Sequence, residues 1–322
     1  MNNILHLLPE EHLGASVARL HHLAAVGALE HTMRRLGASK HRFRPHRLFD
    51  EDDFSLSLLY ESNGASDVWH QHAMGSYATV FLKKDEHIQV DEARLRGGPL
   101  LNVFGKHAVL PCCWRWCVSC AEEDEVEFGT TYYHRDHQLP GVFHCDKHHM
   151  ALTDGCQECG FTVELLMHQN VPPVDNLCPH CGKWMGAFDR YFSEEMAKVE
   201  SRSLALARHP QAIGYYEDYI RRIRGRAGLN PTPINNVSER KRLTSWLDDL
   251  GSYFPPDMLA AYFQNINVSQ SNRASNFLRN PRLFDPNTPR PPLHPLVHIL
   301  TEIFVQQDSC ISEREFTERC HE

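Results

Sequence analysis

The stretch CVSCAEEDEVEFGTTYYHRDHQLPGVFHCDKHHMALTDGCQECGFTVELLMHQNVPPVDNLCPHCG, residues 117–182, decides the fold because it holds four paired half-sites in series. Cys117 and Cys120 are separated by two residues, as are Cys145 and His148, with 24 residues between the pairs. Cys156 and Cys159 repeat the spacing, and 18 residues later Cys178 and Cys181 close it, with Pro179 and Gly182 supplying turn chemistry. A two-residue gap in a tight turn lets both side chains reach one tetrahedral ion, and two such turns complete its shell. A single Cys-x-x-Cys also suits redox chemistry, but four half-sites in series point to metal. The pattern predicts a Cys₃His site followed by a zinc-ribbon-like Cys₄ site, two zinc ions per chain. Both shells are full, which leaves no position for water or substrate and makes the metals structural. In small loop-rich modules the metal supplies the folding free energy, ~10–16 kcal/mol in finger peptides. Cys112 and Cys113 stand outside the pattern, Cys113 as the rival ligand, while His144, His149 and His180 flank the ligands as surface or packed histidines.

Working outward, nine of the eleven cysteines lie between Cys112 and Cys181. The opening MNNILHLLPEEHL has neither a basic start nor a sustained apolar stretch, so it does not read as a secretory signal. No apolar run reaches the ~18 residues needed to cross a bilayer. A reducing, cytoplasmic compartment and no membrane partner are expected, and there clustered cysteines mean metal rather than disulfide. The net charge of −8 argues against a chain that coats nucleic acid unselectively, but local basic clusters can still touch phosphates. No phosphate-cradling glycine loop, His-Glu-x-x-His helix or nucleophile elbow is present. The acidic run Glu122, Glu123, Asp124, Glu125 and Glu127 reads as a solvated loop joining the halves of the first site, so no enzyme is expected.

The flanks predict helices, giving a mainly α fold with small zinc-ribbon β elements. The expected organisation is an N-terminal helical region over 1–110, a double metal-binding core over 111–190 and a C-terminal helical domain over 191–322. Leu13, Val17, Leu20 and Ala24 share one helical face, Leu29, Met33 and Leu36 continue the theme, and Gly27 and Gly37 mark a turn and a cap. This pair is compatible with a helix-turn-helix or with a plain hairpin. Ser193 is placed to cap a helix toward Arg208, and Pro210 to open another with Ile213, Tyr216, Ile220 and Ile223 inward. Leu243, Trp246, Leu247 and Leu250 predict a helix stopped by Gly251, with Pro255 and Pro256 starting the next. A proline-rich connector over 280–295 leads to a last apolar helix, His294 to Val305. Candidate DNA contacts are Arg34, Arg35, Lys40, Arg42, Arg44 and Arg47 around the helical pair, Arg115 and Arg135 in the metal region, and Arg221, Arg222, Arg224 and Arg226. Solvated loop and helix-end roles explain the same charges, and only a complex tells phosphate positioning from base reading.

With both metal sites placed, residues 115–152 resemble the TniQ/TnsD family of transposon target selectors. The likeness rests on the first Cys-x-x-Cys, Gly129 to Tyr133, Arg135, the segment His137-Gln138-Leu139-Pro140-Gly141-Val142 and the Cys145-x-x-His148 close. Glu11, Ser16 and Arg19 resemble the family's first helix, His72 to Tyr77 a short motif before the metal region, and His294 to His298 a segment of the TnsD branch. The chain departs from the pattern at His134, where Trp is commoner, and at Ala73 and Met74, where Thr and Leu are. The resemblance implies a non-enzymatic adaptor that recruits the AAA+ ATPase TnsC. It implies target choice either by binding attachment-site DNA or by docking on a Cascade complex with its guide RNA, and leaves a homodimer open. Attachment-site readers continue into a longer C-terminal region than 322 residues hold, so a truncated chain is one reading. The alternative is a zinc-ribbon DNA-binding transcription regulator, which needs no TnsC. A zinc nuclease or deaminase would need an open metal position.

Overall fold

A computed structural model describes residues 6–24, 27–35, 45, 68–96, 111–186, 192–210, 216–231, 236–263, 278 and 293–319. Ten helices are named here among the described residues: α1 Leu13–Ala24, α2 Leu29–Arg35, α3 Gly75–Thr79, α4 Lys84–Arg96, α5 Val118–Phe128, α6 Glu194–Arg208, α7 Tyr216–Arg226, α8 Val237–Tyr253, α9 Pro256–Tyr262 and α10 Pro295–Arg319. The expected β content amounts to isolated antiparallel bridges, Glu11 to His134, Trp116 to Thr153, His144 to Ala151 and Leu177 to Trp184. None of the helices is long and apolar enough to cross a membrane.

The apolar side chains gather into two cores, each drawing on distant segments. In one, Leu13, Ala15, Val17 and Ala18 of α1 meet Trp114, Trp116 and Tyr133, and Val163, Leu166 and Met185 beyond the first metal site. In the other, Tyr77 and Phe81 meet Leu139, Val142 and Leu152, and the inner faces of α6 to α10. A buried aliphatic side chain contributes ~1.5–3 kcal/mol, so each core ties its metal region firmly to helices remote in sequence. The division at 110 is therefore crossed by both cores, and that at 190 by the second.

Histidines start two of these helices. His12 Nδ1 accepts the Gly14 N–H at 3.1 Å before α1, and His294 Nδ1 accepts the Leu296 N–H at 3.1 Å before α10. Glu11 and Arg19 form a buried ion pair at 2.6 Å, and Arg19 also donates to the His6 carbonyl at 2.7 Å, which fastens α1 to the turn before it. The turn between α1 and α2 lies at Gly27, with φ of 113°, and His21 Nδ1 meets the Thr32 hydroxyl at 2.7 Å across it. The expected Gly37 cap lies outside the described residues, as does most of the 280–295 connector.

Downstream, Ser193 caps α6 by accepting the Met196 N–H at 3.2 Å, and α6 ends at Arg208 as expected. Pro256 occupies the first turn of α9, where its missing N–H costs nothing. Two boundaries differ. Gly251 does not stop α8, which runs to Tyr253: the glycine is buried inside the helix, and the break comes where Pro255 and Pro256 follow. The last helix passes Val305 and reaches Arg319, because no proline or glycine interrupts it. The acidic run over 122–127 is not a loop. It lies in α5, whose Cys120, Ala121 and Asp124 turn inward while the remaining acids face out, and Gly129 ends it in a left-handed conformation at φ of 70°. Glutamate is a good helix former, and that propensity outweighs the loop reading taken from charge alone.

Candidate metal centres

Three of the four half-sites are the same small turn. Cys145 N–H donates to the Met150 carbonyl and His149 N–H returns to the Cys145 carbonyl, both at 2.8 Å. Cys156 pairs likewise with Phe161 and Gly160, and Cys178 with Lys183 and Gly182, at 2.7–2.9 Å. Each turn closes through a left-handed residue directly after its second ligand: His149 at φ of 53°, Gly160 at 72° and Gly182 at 67°. Glycine adopts that conformation without a Cβ penalty, and histidine is among the few others enriched there. The fourth half-site differs. Cys117 is the N-cap residue of α5 and Cys120 sits in its first turn, so a helix start presents both ligands.

Within each site the four donor atoms lie within 4.8 Å of one another. In the first, Cys120 Sγ is 3.5 Å from Cys145 Sγ, and His148 Nδ1 is 3.5, 3.4 and 3.6 Å from the sulfurs of Cys117, Cys120 and Cys145. In the second, Cys156 and Cys181 sulfurs are 3.6 Å apart, as are those of Cys159 and Cys178. Bond lengths of ~2.3 Å to sulfur and ~2.0–2.1 Å to nitrogen give tetrahedral edges of about 3.8 Å between sulfurs and about 3.6 Å from sulfur to nitrogen. The observed edges lie close to those values, so both clusters can hold a metal ion and their donor chemistry is consistent with zinc. Cys113 belongs to neither. It faces Cys112 with sulfurs 3.4 Å apart, and burial, followed by that neighbour, pushes its thiol up to about 12.

The ligands are held by residues that spacing did not reveal. His148 turns Nε2 away from the cluster toward Glu123 Oε1 at 3.1 Å, and Lys147 pairs with the same carboxylate. Lys147 and then His148 hold that carboxyl below its usual range. An acceptor on the outer nitrogen of a ligating histidine fixes ring orientation and tautomer. Glu200 of α6 accepts the His144 N–H at 2.7 Å, anchoring the second half-site of the first cluster to the C-terminal helices.

Every residue of the segment 137–142 now has a physical role. His137 is buried against the Cys145 sulfur. Gln138 accepts the Arg115 N–H at 3.0 Å and donates to its carbonyl at 2.7 Å. The Arg115 guanidinium donates to the Leu139 and Val142 carbonyls at 2.9 and 2.7 Å, bridging the turn at Pro140 and Gly141. Gly141 has no room for a side chain: a Cβ there would lie 2.3 Å from Ser203 Oγ and 3.0 Å from Leu296 Cδ2. Asp136 joins Arg135 to Arg208 of α6 at 2.8 Å, and Arg208 also reaches Asp146 at 2.7 Å. Burial pushes the Asp136 carboxyl up, yet the Arg135 and Arg208 guanidiniums outweigh it and hold it below the usual range. His134, at the position where the resemblance has Trp, stacks on Tyr132 with centroids 4.4 Å apart and meets Asp124 at 2.9 Å.

The expected nucleic-acid contacts divide sharply. Arg115, Arg135 and Arg224 are 7%, 3% and 2% exposed. Arg135 donates to the His70 carbonyl at 2.6 Å, and Arg224 donates to the Asn230 carbonyl and pairs with Glu239. These three serve the interior, because a buried guanidinium must find acceptors and here finds them in carbonyls and carboxylates. Arg34 is exposed on α2. Arg221, Arg222 and Arg226 are exposed on α7, Arg221 paired with Asp218 one turn back. Arg35 is described in backbone only, and Lys40, Arg42, Arg44 and Arg47 lie outside the described residues.

Residues 4–152 match the family model described as TniQ. No curated protein matches the chain. The match takes in α1, its buried Glu11 to Arg19 tie, the whole first metal site and the Gln138 to Arg115 brace, and ends before the second cluster. Over this stretch, a little under half of its length, the chain is similar to the TniQ family, which is associated with transposition.

Proposed function

We propose that this protein is a non-enzymatic adaptor of a transposition system, marking a target and recruiting the AAA+ ATPase TnsC to it. The target is attachment-site DNA or a Cascade complex with its guide RNA. The TniQ match over 4–152 carries the reading. Two zinc ions per chain complete the clusters and act as staples: each cluster offers four donors, a full tetrahedral shell, so neither ion has a position for substrate. What remains for function is surface, and an adaptor needs only surfaces held in fixed relation. A transcription regulator would share the metal sites but would not engage TnsC.

The test is capture of purified TnsC, with a non-hydrolysable ATP analogue, by the zinc-loaded protein on attachment-site duplex, with and without Cascade. Capture on duplex alone makes it a direct site reader, and capture dependent on Cascade makes it an RNA-guided adaptor. No capture in either arm removes the adaptor reading.

A further inference from the structure

The outer face of α8 carries a charge order that the helix itself does not explain. Leu243, Trp246, Leu247 and Leu250 turn inward, where Trp246 meets Phe304 of α10 with ring centroids 5.6 Å apart. Opposite them Lys241, Arg242, Ser245 and Asp249 are exposed and Asp248 is half-buried. An open groove of 430 Å³ runs along this side between Val237 and Asp248. The two cations stand in the N-terminal half of the helix and the two carboxylates in the C-terminal half, the reverse of what the macrodipole favours. Nor do they pair along the helix. Such pairs need a spacing of three or four residues, whereas Lys241 to Asp248 and Arg242 to Asp249 are each seven apart, about 10 Å along the axis.

We infer that this face is an interface between two copies of this chain, with their α8 helices antiparallel about a twofold axis at Ser245. Ser245 lies midway in sequence between Lys241 and Asp249, and also midway between Arg242 and Asp248. At ~100° per residue, Lys241 and Asp249 sit about 40° to either side of Ser245, and Arg242 and Asp248 about 60° to either side. A twofold axis there reverses both the helix direction and the side. It therefore sets Lys241 against Asp249 of the second copy and Arg242 against Asp248 of the second copy, and each pair occurs twice because the contact is isologous. The pattern is complementary to itself, whereas the same face laid parallel in register would set cation on cation. Ser245, small and on the axis, lets the two backbones approach. Lys241 and Asp249 carry the contact, since Asp248 also engages its own chain. One polar helix face falls short of the ~800 Å² per partner of a permanent dimer, so the association is reversible and salt-sensitive. The interface does not depend on the adaptor reading.

The experiment is sedimentation equilibrium of the full zinc-loaded, nuclease-treated protein over a concentration series at ~0.05 and ~0.5 M salt. The wild type should dimerise reversibly, and severalfold more weakly at the higher salt. Lys241→Glu and Asp249→Lys should each weaken association by roughly tenfold or more, because each sets like charges opposite one another. Mixed in equal amounts, the two variants restore both pairs and should associate about as tightly as the wild type. That rescue is the readout that a merely solvated face would not give. Lys241→Arg with Asp249→Glu keeps the charges and should dimerise as the wild type does, and thermal unfolding confirms that each variant is folded. A wild type that stays monomeric at the lower salt, equal association in both reversed variants, or a mixture that stays monomeric overturns the interface. TnsC capture is read separately: a failed interface with capture intact leaves the adaptor reading standing, and charge-dependent dimers without capture remove the adaptor reading alone.

Discussion

Gly141→Ala tests whether the metal-bearing loop is locked onto the C-terminal helices as closely as the structure shows. The added methyl would sit 2.3 Å from Ser203 Oγ, 3.2 Å from Ser203 Cβ and 3.0 Å from Leu296 Cδ2. Ordinary carbon contacts begin near ~3.5 Å, so the loop must back away from α6 and α10 by about an ångström or Ser203 must leave its rotamer. Overpacking of this degree costs ~1–3 kcal/mol. Gly141 has no left-handed backbone angle, so the whole cost is steric. Ser203→Ala removes the closest atom and leaves its Cβ at 3.2 Å, a contact that a few tenths of an ångström relieve. Gly141→Ala should then cost under ~1 kcal/mol in the Ser203→Ala background, a coupling of ~1–2 kcal/mol. Urea unfolding of the four proteins at fixed free zinc measures the cycle. Additivity within ~0.5 kcal/mol would refute direct contact between loop and helix.

Three further outcomes follow from the same geometry. Glu123→Gln should lower metal affinity at the first site by ~10-fold, the weak end of the outer-ligand range because Glu123 is half-exposed; competition with a fluorescent chelator reads it, and equal affinity removes Glu123 from the site. Asp136→Asn should destabilise by ~3–5 kcal/mol at neutral pH, because two arginines lose a buried partner. The folded Asp136 pKa is depressed, so its contribution is present above the unfolded value near ~3.9 and fades as pH falls through the folded one. The gap between wild type and Asp136→Asn should therefore be flat from neutral pH down to about pH 5 and shrink below it, and a gap growing on acidification would reverse the sign argued here. Cys120→Ser and Cys159→Ser should loosen different helices in hydrogen exchange, since Cys120 belongs to the core shared with α6 and α10 while the Cys159 cluster underlies α1. Uniform loss of protection in both variants would contradict that division.

The two clusters that can hold a metal were legible because their information is local: a two-residue gap is a turn, and turns repeat. So were the Ser193 cap, the Gly27 turn and the inward face Leu243, Trp246, Leu247 and Leu250. What could not be read was long-range. Arg115 and Arg135 look like free cations in the sequence, and their acceptors lie 24, 27 and 65 residues away, at Leu139, Val142 and His70. Glu123 looked like one member of a solvated run until α5 turned it toward His148. The interleaving of the two cores was equally hidden, because periodicity says which face is buried but not what buries it.

Placing the resemblance residues in space changes what they can mean. His72 meets the Glu11 carbonyl at 2.8 Å, His298 stacks on Phe81 at 4.3 Å, and Gln138, Arg115 and Arg135 brace backbone. All are buried. A buried residue holding a carbonyl cannot also select a partner, so this signature specifies how α1, the metal loop and the C-terminal helices come together. Substituting it should abolish every activity at once through loss of the fold, which makes such variants poor probes of target choice. On the proposed adaptor role, contacts with a target or partner fall to side chains that the signature leaves unspecified and the fold leaves exposed. The exposed cations of α7 and α8 lie outside the signature, on helices that Tyr219 and Trp246 pack against α10.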